Sequence, residues 1–247
     1  YLDVCGHAFI GAVTAIIELG TIRSREGSTQ LMVDTVAGQI GVTAVTENNV
    51  AKSVTIENVP SFFVKEVLVD TPDLGKIPID ISYGGNYFAI VDTDEVHLKL
   101  KPENLSSLIR IGMNIKNQMN KQIPLVHPTL GACKIECVEI SGPPEHPNAD
   151  LKNAVIYGFG QVDREPCVTG TCAKMAALHA KGILKIGEEF VHEGILGTIA
   201  KGRILKETKV GETNAIVPTI TESAYITGIH HLIIDDDDPL KYGFVLR

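Results

Sequence analysis

The chain of 247 residues is 44% hydrophobic and 21% charged, with a net charge of −8, a pI near 5.5 and a mean hydropathy of +0.13. This length and apolar content suit one large domain or two ordinary ones with buried cores, and they exclude a disordered chain. The acidic balance, without a basic stripe, argues against a nucleic acid or an anionic membrane as partner. No apolar run approaches the roughly 20 residues of a membrane-spanning helix. We therefore expect a small-molecule substrate.

The first predicted element is a helix that follows Cys5 and stops at Gly20, fifteen positions later. Glycine there favours the left-handed backbone that ends many helices. Runs rich in β-forming residues follow at 30–45, 53–59, 61–69, 77–82 and 87–92, separated by glycine and proline turns. Their spacing predicts an antiparallel, meander-like sheet around a helix and does not suit a parallel doubly wound sheet.

Apolar residues with helical spacing predict an amphipathic helix over 102–120. A strand over 133–140, a turn-rich loop at 142–148 and a strand over 153–158 then lead to Cys167. From Cys167 a second helix runs to Gly182, again fifteen positions later. Short strands are predicted at 189–193, 196–204, 207–210, 214–218 and 224–232. Each half thus approaches a cysteine-led helix along a strand.

Five cysteines, an odd number without dense spacing, favour reduced thiols over a disulfide framework. Cys133 and Cys137 lie on one predicted strand, and no companion pair has zinc-site spacing, so we expect no metal site. The four aspartates at 235–238 would point in divergent directions and are expected to form a solvated turn.

A thiol just before a helix N-terminus is placed to ionise, because unpaired N–H groups and the helix dipole favour negative charge there. Two such thiols, Cys5 and Cys167, suggest that one takes a proton from a substrate while the other gives one to the opposite face. A carboxylate held between the helices would meet the backbone N–H groups of Gly6, His7, Val168 and Thr169. This arrangement predicts two-base racemisation.

Two motifs carry a family resemblance. Asp-Val-Cys-Gly-His at 3–7 resembles the Met-Cys-Gly-His box of the proline racemase and hydroxyproline epimerase family. Asp-Arg-Glu-Pro-Cys-Val-Thr-Gly-Thr at 163–171 resembles the second box of that family, Asp-Arg-Ser-Pro-Cys-Gly-Thr-Gly-Thr. The similarity continues at 58–62, 84–89, 142–144 and 238–244, so it covers essentially the whole chain.

The resemblance implies an α/β (α+β) fold of the diaminopimelate epimerase type, with two pseudo-symmetric domains that each wrap strands around a central helix. Residues 1–95 would be the first half-domain, lacking upstream strands, and 96–225 the second, with 226–247 returning to the first. The family implies catalysis without pyridoxal phosphate or metal, and a homodimer. We also expect a cytoplasmic location.

By the same resemblance, Cys5 and Cys167 are the catalytic thiols, and His7 and Asp163 lie beside the ring nitrogen of the substrate. The amides named above would bind the carboxylate. Two further positions would border the pocket, namely Tyr157 and Cys137. Proline-selective members tend to carry phenylalanine in place of Tyr157, and a hydroxyl there could accommodate a more polar ring.

Three departures from the family pattern matter, of which the third is the missing segment upstream of Tyr1. Val168 replaces a glycine, so we expect a strained or crowded site if that position needs positive φ or close approach of a ligand. Val4 and Cys172 replace methionine and serine, and Cys172 would add a third thiol near the helix start. Tyr1 suggests a processed or partial chain.

Three hypotheses follow. The leading one is a cofactor-independent racemase or epimerase acting on proline or 4-hydroxyproline. Relatives that dehydrate trans-3-hydroxyproline typically have threonine in place of the second cysteine, so Cys167 argues against that activity. A protein that binds amino acids without turning them over would follow if Val168 has removed the chemistry.

Overall fold

Two helices of 13 residues each begin directly after Cys5 and Cys167, as predicted. The computed structural model describes residues 5–35 and 38–244. Gly20 and Gly182 have φ of 70° and 74°, a left-handed backbone that glycine adopts without strain, so each helix stops at its glycine. The helices are α1 (Gly6–Glu18), α2 (Thr93–Val96), α3 (Leu105–Gln122) and α4 (Val168–Ala180).

Most of the strands join one mixed sheet. The strands are β1 (Gly27–Thr35), β2 (Gly38–Glu47), β3 (Val50–Glu57), β4 (Phe62–Thr71), β5 (Gly75–Tyr83), β6 (Tyr87–Asp92), β7 (Leu125–His127), β8 (Gly131–Cys133), β9 (Cys137–Gly142), β10 (Leu151–Tyr157), β11 (Gln161–Val162), β12 (Glu189–Glu193), β13 (Ile199–Val210) and β14 (Thr213–Glu222). The large sheet has the order β1-β2-β3-β14-β13-β12-β10-β9-β6-β5-β4, with β11 attached to β10. β7 and β8 form a separate hairpin.

The predicted antiparallel meanders are confirmed, and they lie at opposite ends of the large sheet. β1, β2 and β3 form one meander, and β4, β5 and β6 form the other. Two neighbouring pairs, β6 with β9 and β10 with β12, are instead parallel. Parallel neighbours require a long crossover connection, and here the crossovers contain α3 and α4. The cysteine-led helix α4 is therefore a crossover helix packed on the sheet.

The amphipathic helix predicted over 102–120 is confirmed. A 3₁₀ turn, Pro102–Asn104, leads into α3. Its buried side chains pack against β4, β6, β9 and β10. Burial of each large apolar side chain contributes about 1.5–3 kcal/mol. These side chains are Leu108, Ile111, Ile115 and Met119.

A second core holds α1 and α4 together. Ile10, Val13 and Ile17 recur at helical spacing on the buried face of α1. They join the same apolar cluster as Val168 and Met175 of α4. This shared core fixes where both helices begin.

The single strand predicted over 133–140 is wrong. It is two strands in different sheets, because the backbone between them has other partners. The N–H of Ile135 donates to Oδ1 of Asn120, and Nδ2 of Asn120 donates to the Ile135 carbonyl. Glu136 N donates to the Tyr87 carbonyl. The side-chain amide of Asn120 in α3 thus interrupts a segment whose sequence pattern predicts one continuous strand.

Two predictions near the C-terminus also need correction. The strands predicted at 196–204 and 207–210 are one strand, β13, with a bulge between Ile204 and Lys206. The strand predicted at 224–232 is wrong, since 223–235 has no regular secondary structure and Leu232 and Ile233 are exposed. The aspartates at 235–238 form the expected exposed turn, in which Asp237 N donates to the Asp235 carboxylate.

All five cysteines lie within the described residues and are free, as expected. None of the helices in 5–35 and 38–244 has the length and apolarity that crossing a bilayer requires. The division into half-domains at 95 and 225 stays a prediction.

Candidate active site

The N-termini of α1 and α4 meet. A Cβ on Gly6 would lie 2.3 Å from Cγ1 of Val168, so the first residues of the two helices are in direct contact. Cys5 and Cys167 are the N-cap residues that precede them. Cys5 is exposed and Cys167 is buried. Two thiols in different environments therefore flank one helix contact.

Both helix starts retain backbone donors. The earliest α-helical bonds run from Phe9 N to the Cys5 carbonyl, 3.3 Å, and from Thr171 N to the Cys167 carbonyl, 2.7 Å. N–H groups before these have no acceptor within their own helix. The N–H groups at the two positive helix ends include those of Gly6, His7, Val168 and Thr169. An anion between the helices would be stabilised from both sides.

The Cys167 thiol does not ionise as readily as its helical position suggests. Burial raises its pKa well above the ordinary value. Two contacts oppose this increase: Gly170 N donates to Sγ at 3.4 Å, and the Thr169 hydroxyl lies 3.5 Å from Sγ. The expectation of a lowered pKa is therefore wrong for Cys167 in the free protein. Burial outweighs the helix N-terminus, and Cys167 is a thiol at neutral pH.

Asp163 lies beside Cys167. Its backbone N donates to the Val155 carbonyl at 3.1 Å, which fixes the segment that follows β11. The Asp163 carboxyl hydrogen-bonds with the Cys167 thiol and faces the charge of His7. Burial raises the pKa of this carboxyl, and these two neighbours limit the rise. Asp163 is therefore held next to the Cys167 thiol.

His7 is surrounded by acceptors. Its Nε2 donates to the Pro166 carbonyl at 3.1 Å, since a carbonyl oxygen can only accept. The same Nε2 lies 3.7 Å from Oε2 of Glu222 and 4.0 Å from Oε2 of Glu165. These three side chains are close enough to hold a metal ion, but the Nε2 proton removes the lone pair that a metal would need.

Sequence reasoning missed both glutamates. Glu165 lies inside the second cysteine box, so the motif alone could have predicted that it lies near the site. Glu222 ends β14, more than 200 residues from His7, and no spacing connects the two. Only the pairing of β14 with β3 brings it to the site.

Tyr157 and Cys137 lie next to the buried thiol. They face each other in the register of β10 and β9 and pack in the same small cluster as Cys167. Burial raises the pKa of the Tyr157 hydroxyl first, followed by the charges of Asp163, Cys167 and Cys5. The Tyr157 ring is thus within electrostatic reach of both cysteines.

Val168 causes no backbone strain. It is the first residue of α4, and the non-glycine residues with positive φ in 5–35 and 38–244 are Asn48, Asn49 and His97. Its side chain is 1% exposed and lies on the Cα of Gly6. Position 168 does not need positive φ, so the valine is unstrained, and its isopropyl group fills the space that the missing Gly6 side chain leaves. Crowding of a ligand by Val168 stays a prediction.

Of the two other replacements, Cys172 lies within the described residues. Cys172 is fully buried in α4, and its thiol hydrogen-bonds with Asn58. It therefore adds no reactive thiol at the helix start. Val4 lies outside the described residues.

The family model for proline racemase matches residues 1–245. This chain belongs to the proline racemase family. A proline racemase of Clostridioides difficile is 49% identical over 249 residues, which cover 100% of this chain and 74% of that protein. A 4-hydroxyproline epimerase of Brucella suis is 39% identical over 245 residues, 98% of this chain and 73% of that protein.

Solved structures of proline racemase family members agree with the fold. A hydroxyproline epimerase from Agrobacterium vitis with bound trans-4-hydroxy-L-proline has a TM-score of 0.92 at 34% identity, covering 99% of this chain and 71% of that one. A PhzF family protein of Bacillus anthracis, 14% identical with a TM-score of 0.58, shares the fold alone over 90% of this chain and 73% of its own. The expected α/β fold is confirmed, and the protein is an amino-acid racemase or epimerase.

Beneath the site of this proline racemase family member lies a second pair of buried titratable groups, which sequence reasoning also missed. Glu139 of β9 and His192 of β12 are completely buried, with Oε1 and Nε2 3.9 Å apart. His192 Nδ1 lies 3.0 Å from the Thr171 hydroxyl of α4. A Cβ on Gly170 would lie 2.8 Å from Oε2 of Glu139. The pair therefore supports the first turn of α4.

Burial determines the charge of this pair. It raises the pKa of Glu139 to about 8 and, together with the charge of Lys174, lowers the pKa of His192 to about 3. Both groups are thus neutral at pH 7. A neutral Glu139 leaves the positive end of α4 free for the carboxylate of a ligand.

Replacing Glu139 with glutamine is expected to flatten the pH dependence of stability. Between pH 4.5 and 8 native Glu139 keeps a proton that the unfolded chain releases, so unfolding becomes easier as pH rises, by up to about 1.4 kcal/mol per pH unit. Urea unfolding at pH 6 and pH 8 measures this slope. In Glu139→Gln the loss of stability over that interval should be about 1–3 kcal/mol smaller than in the wild type. Equal losses in both proteins would contradict the buried neutral carboxyl, and the exposed Glu103→Gln serves as control.

Proposed function

We propose that the protein inverts the α-carbon of proline or 4-hydroxyproline, with Cys5 and Cys167 as its two acid–base groups and without a cofactor. The observation that carries the proposal is the contact between the two cysteine-capped helix starts, Gly6 on Val168. It supports the hypothesis that the two thiols and the N–H groups of both helix starts face one substrate. Relatives named for each of these two activities support the choice of substrates.

The geometry supports a two-base mechanism. The substrate carboxylate binds the N–H groups at both helix ends, and they stabilise the charge that grows on it when the α-proton leaves. One cysteine, as thiolate, removes that proton, and the electron pair delocalises into the carboxylate. The thiol of the other cysteine donates its proton to the opposite face of the α-carbon. Thiol and thiolate have then exchanged, which prepares the enzyme for the reverse direction.

The environments of the cysteines support an order for the two proton transfers. Cys167 is protonated in the free protein because it is buried, so it is the donor and Cys5 is the base in that direction. After that turnover Cys167 is the thiolate that acts as base in the reverse direction, and the N–H of Gly170 and the hydroxyl of Thr169 can donate hydrogen bonds to its Sγ. Asp163 and His7 also face the ring nitrogen, while Tyr157 and Cys137 border the ring.

The oligomeric state, the cellular location and the division into half-domains are proposals too. We propose a homodimer in the cytoplasm, in which 1–95 and 96–225 form two half-domains and 226–247 returns to the first. Light scattering on the purified protein measures the oligomeric state, and a monomer would contradict that part.

The test of function is exchange of the α-proton. L-Proline and trans-4-hydroxy-L-proline are incubated separately with the protein in D₂O without added cofactor, and the α-proton signal is followed by NMR alongside optical rotation. Loss of the signal together with inversion is expected, and the faster substrate identifies the specificity. A folded protein that binds both compounds and exchanges neither would contradict the proposal.

A further inference from the structure

The Glu222 carboxyl lies in the wall of a cavity next to the cysteine site. This cavity, about 880 Å³ in volume, is also lined by His7, Arg164, Glu165 and Lys201. The Glu222 side chain is only 7% exposed. Its Oε2 is 3.7 Å from His7 Nε2, and its Oε1 is buried without a hydrogen-bond partner among the described residues.

A buried carboxyl oxygen without a partner is costly, by about 1–3 kcal/mol for an unsatisfied polar group and more when it is charged. Such an atom beside a cavity is therefore suited to a donor that arrives with a ligand. His7 cannot supply that donor, since its Nε2 proton already points to the Pro166 carbonyl.

The chemistry of the substrate indicates which donor fits. At neutral pH a cyclic imino acid carries a carboxylate and a ring ammonium. The helix ends take the carboxylate, and the ammonium needs acceptors with negative charge. His7 offers no acceptor through Nε2, and the negatively charged acceptors near it are carboxyl groups. They are Asp163, Glu165 and Glu222.

We propose that Glu222 is a further substrate-contacting residue, whose carboxylate accepts a hydrogen bond from the ring ammonium of the bound imino acid. The inference rests on the proposed function and adds a residue that the cysteine boxes do not contain. Of the two glutamates near His7, Glu222 is the buried one, whereas Glu165 is about one-third exposed and pairs with Arg164.

The charges around Glu222 explain how its carboxyl can become ionised when the ring ammonium binds. Burial, followed by the charges of Glu165 and Asp163, raises its pKa to about 8, so it is neutral in the free protein at pH 7. A cation beside it favours the ionised form, and a bound ammonium therefore displaces the proton to solvent through the cavity. The other groups that face it are His7 of α1 and the Cys172 thiol of α4.

The experiment compares an imino acid with a ligand that lacks the ring nitrogen. The first is whichever of L-proline and trans-4-hydroxy-L-proline exchanges faster in D₂O, and the second is cyclopentanecarboxylate, which has the ring and the carboxylate but no ammonium. Calorimetric titration gives both affinities for the wild type, for Glu222→Gln and for the charge-matched control Glu103→Gln. Glu103 is exposed in the 3₁₀ turn before α3.

We expect Glu222→Gln to bind the imino acid at least tenfold more weakly than the wild type and to bind cyclopentanecarboxylate within twofold of it. Glu103→Gln should match the wild type for both ligands. An unchanged affinity of Glu222→Gln for the imino acid overturns the inference, and so does an equal weakening for both ligands, which indicates a structural role. A wild type that binds cyclopentanecarboxylate but does not exchange the α-proton overturns the proposed function instead.

Discussion

Replacement of either Cys5 or Cys167 by serine is expected to abolish inversion. A serine hydroxyl ionises far less readily than a thiol, so each variant lacks the acid or base on one face of the α-carbon. Loss of one acid–base group typically lowers a rate by about 10²–10⁴-fold. We expect at least this loss in the polarimetric rate. Any residual exchange in D₂O should be confined to one enantiomer, because the remaining thiol faces one side of the substrate.

The control is Cys172, the thiol within α4. Cys172 lies five residues from Cys167, but it is fully buried and hydrogen-bonds with Asn58. Cys172→Ser should therefore keep most of the wild-type rate of inversion. Full racemisation by Cys5→Ser or by Cys167→Ser, in a variant with native circular dichroism, would rule out the two-thiol mechanism.

Substitution of alanine for Gly84 is expected to cause the largest loss of stability among the glycine variants outside the left-handed positions. A Cβ there would lie 2.1 Å from the Thr169 carbonyl oxygen and 2.7 Å from Ala173 N. Both atoms belong to the α4 backbone, which cannot rotate away as a side chain can. Overpacking costs about 1–3 kcal/mol when side chains can adjust, so we expect about 3 kcal/mol or more. Urea unfolding measures the loss, and activity should fall with it because the start of α4 is displaced.

Gly41 provides the matched comparison. It lies in β2, and the nearest atom to a Cβ there is Cβ of Glu57 at 3.9 Å, an ordinary van der Waals distance. Gly41→Ala should therefore change the free energy of unfolding by less than about 1 kcal/mol. Equal effects of the two substitutions would mean that the Gly84 turn yields to α4 more easily than the close approach implies.

The two cysteine-led helices were predictable because the residues that determine their ends lie next to those ends in the sequence. Cys5 and Cys167 precede them and Gly20 and Gly182 stop them, and these signals act within a few residues. The prediction of one strand over 133–140 is wrong because the side chain of Asn120 in α3 hydrogen-bonds with the backbone N–H and carbonyl of Ile135 at the centre of that segment. No local pattern contains that information.

The residues of the candidate site likewise include some that sequence motifs identify and others that only the fold brings together. Residues within the two cysteine boxes, and Tyr157 and Cys137 on the strands that lead to the second box, could be named from the sequence. Glu222 could not, because only sheet pairing brings the end of β14 to His7. Glu139 left a weak signal, because it is the one charged residue of a strand that is buried throughout. Its burial follows from the layers on both faces of the sheet.

The contact between Gly6 and Val168 limits how closely the two helix starts can approach each other around a ligand. Because the two helix starts already touch, no hinge motion can bring their positive ends closer together around a small anion. The isopropyl group of Val168 sets the smallest distance between the two helix starts. If the proposed function holds, we expect discrimination between substrates of different size to come from the residues around the ring and not from the helix ends.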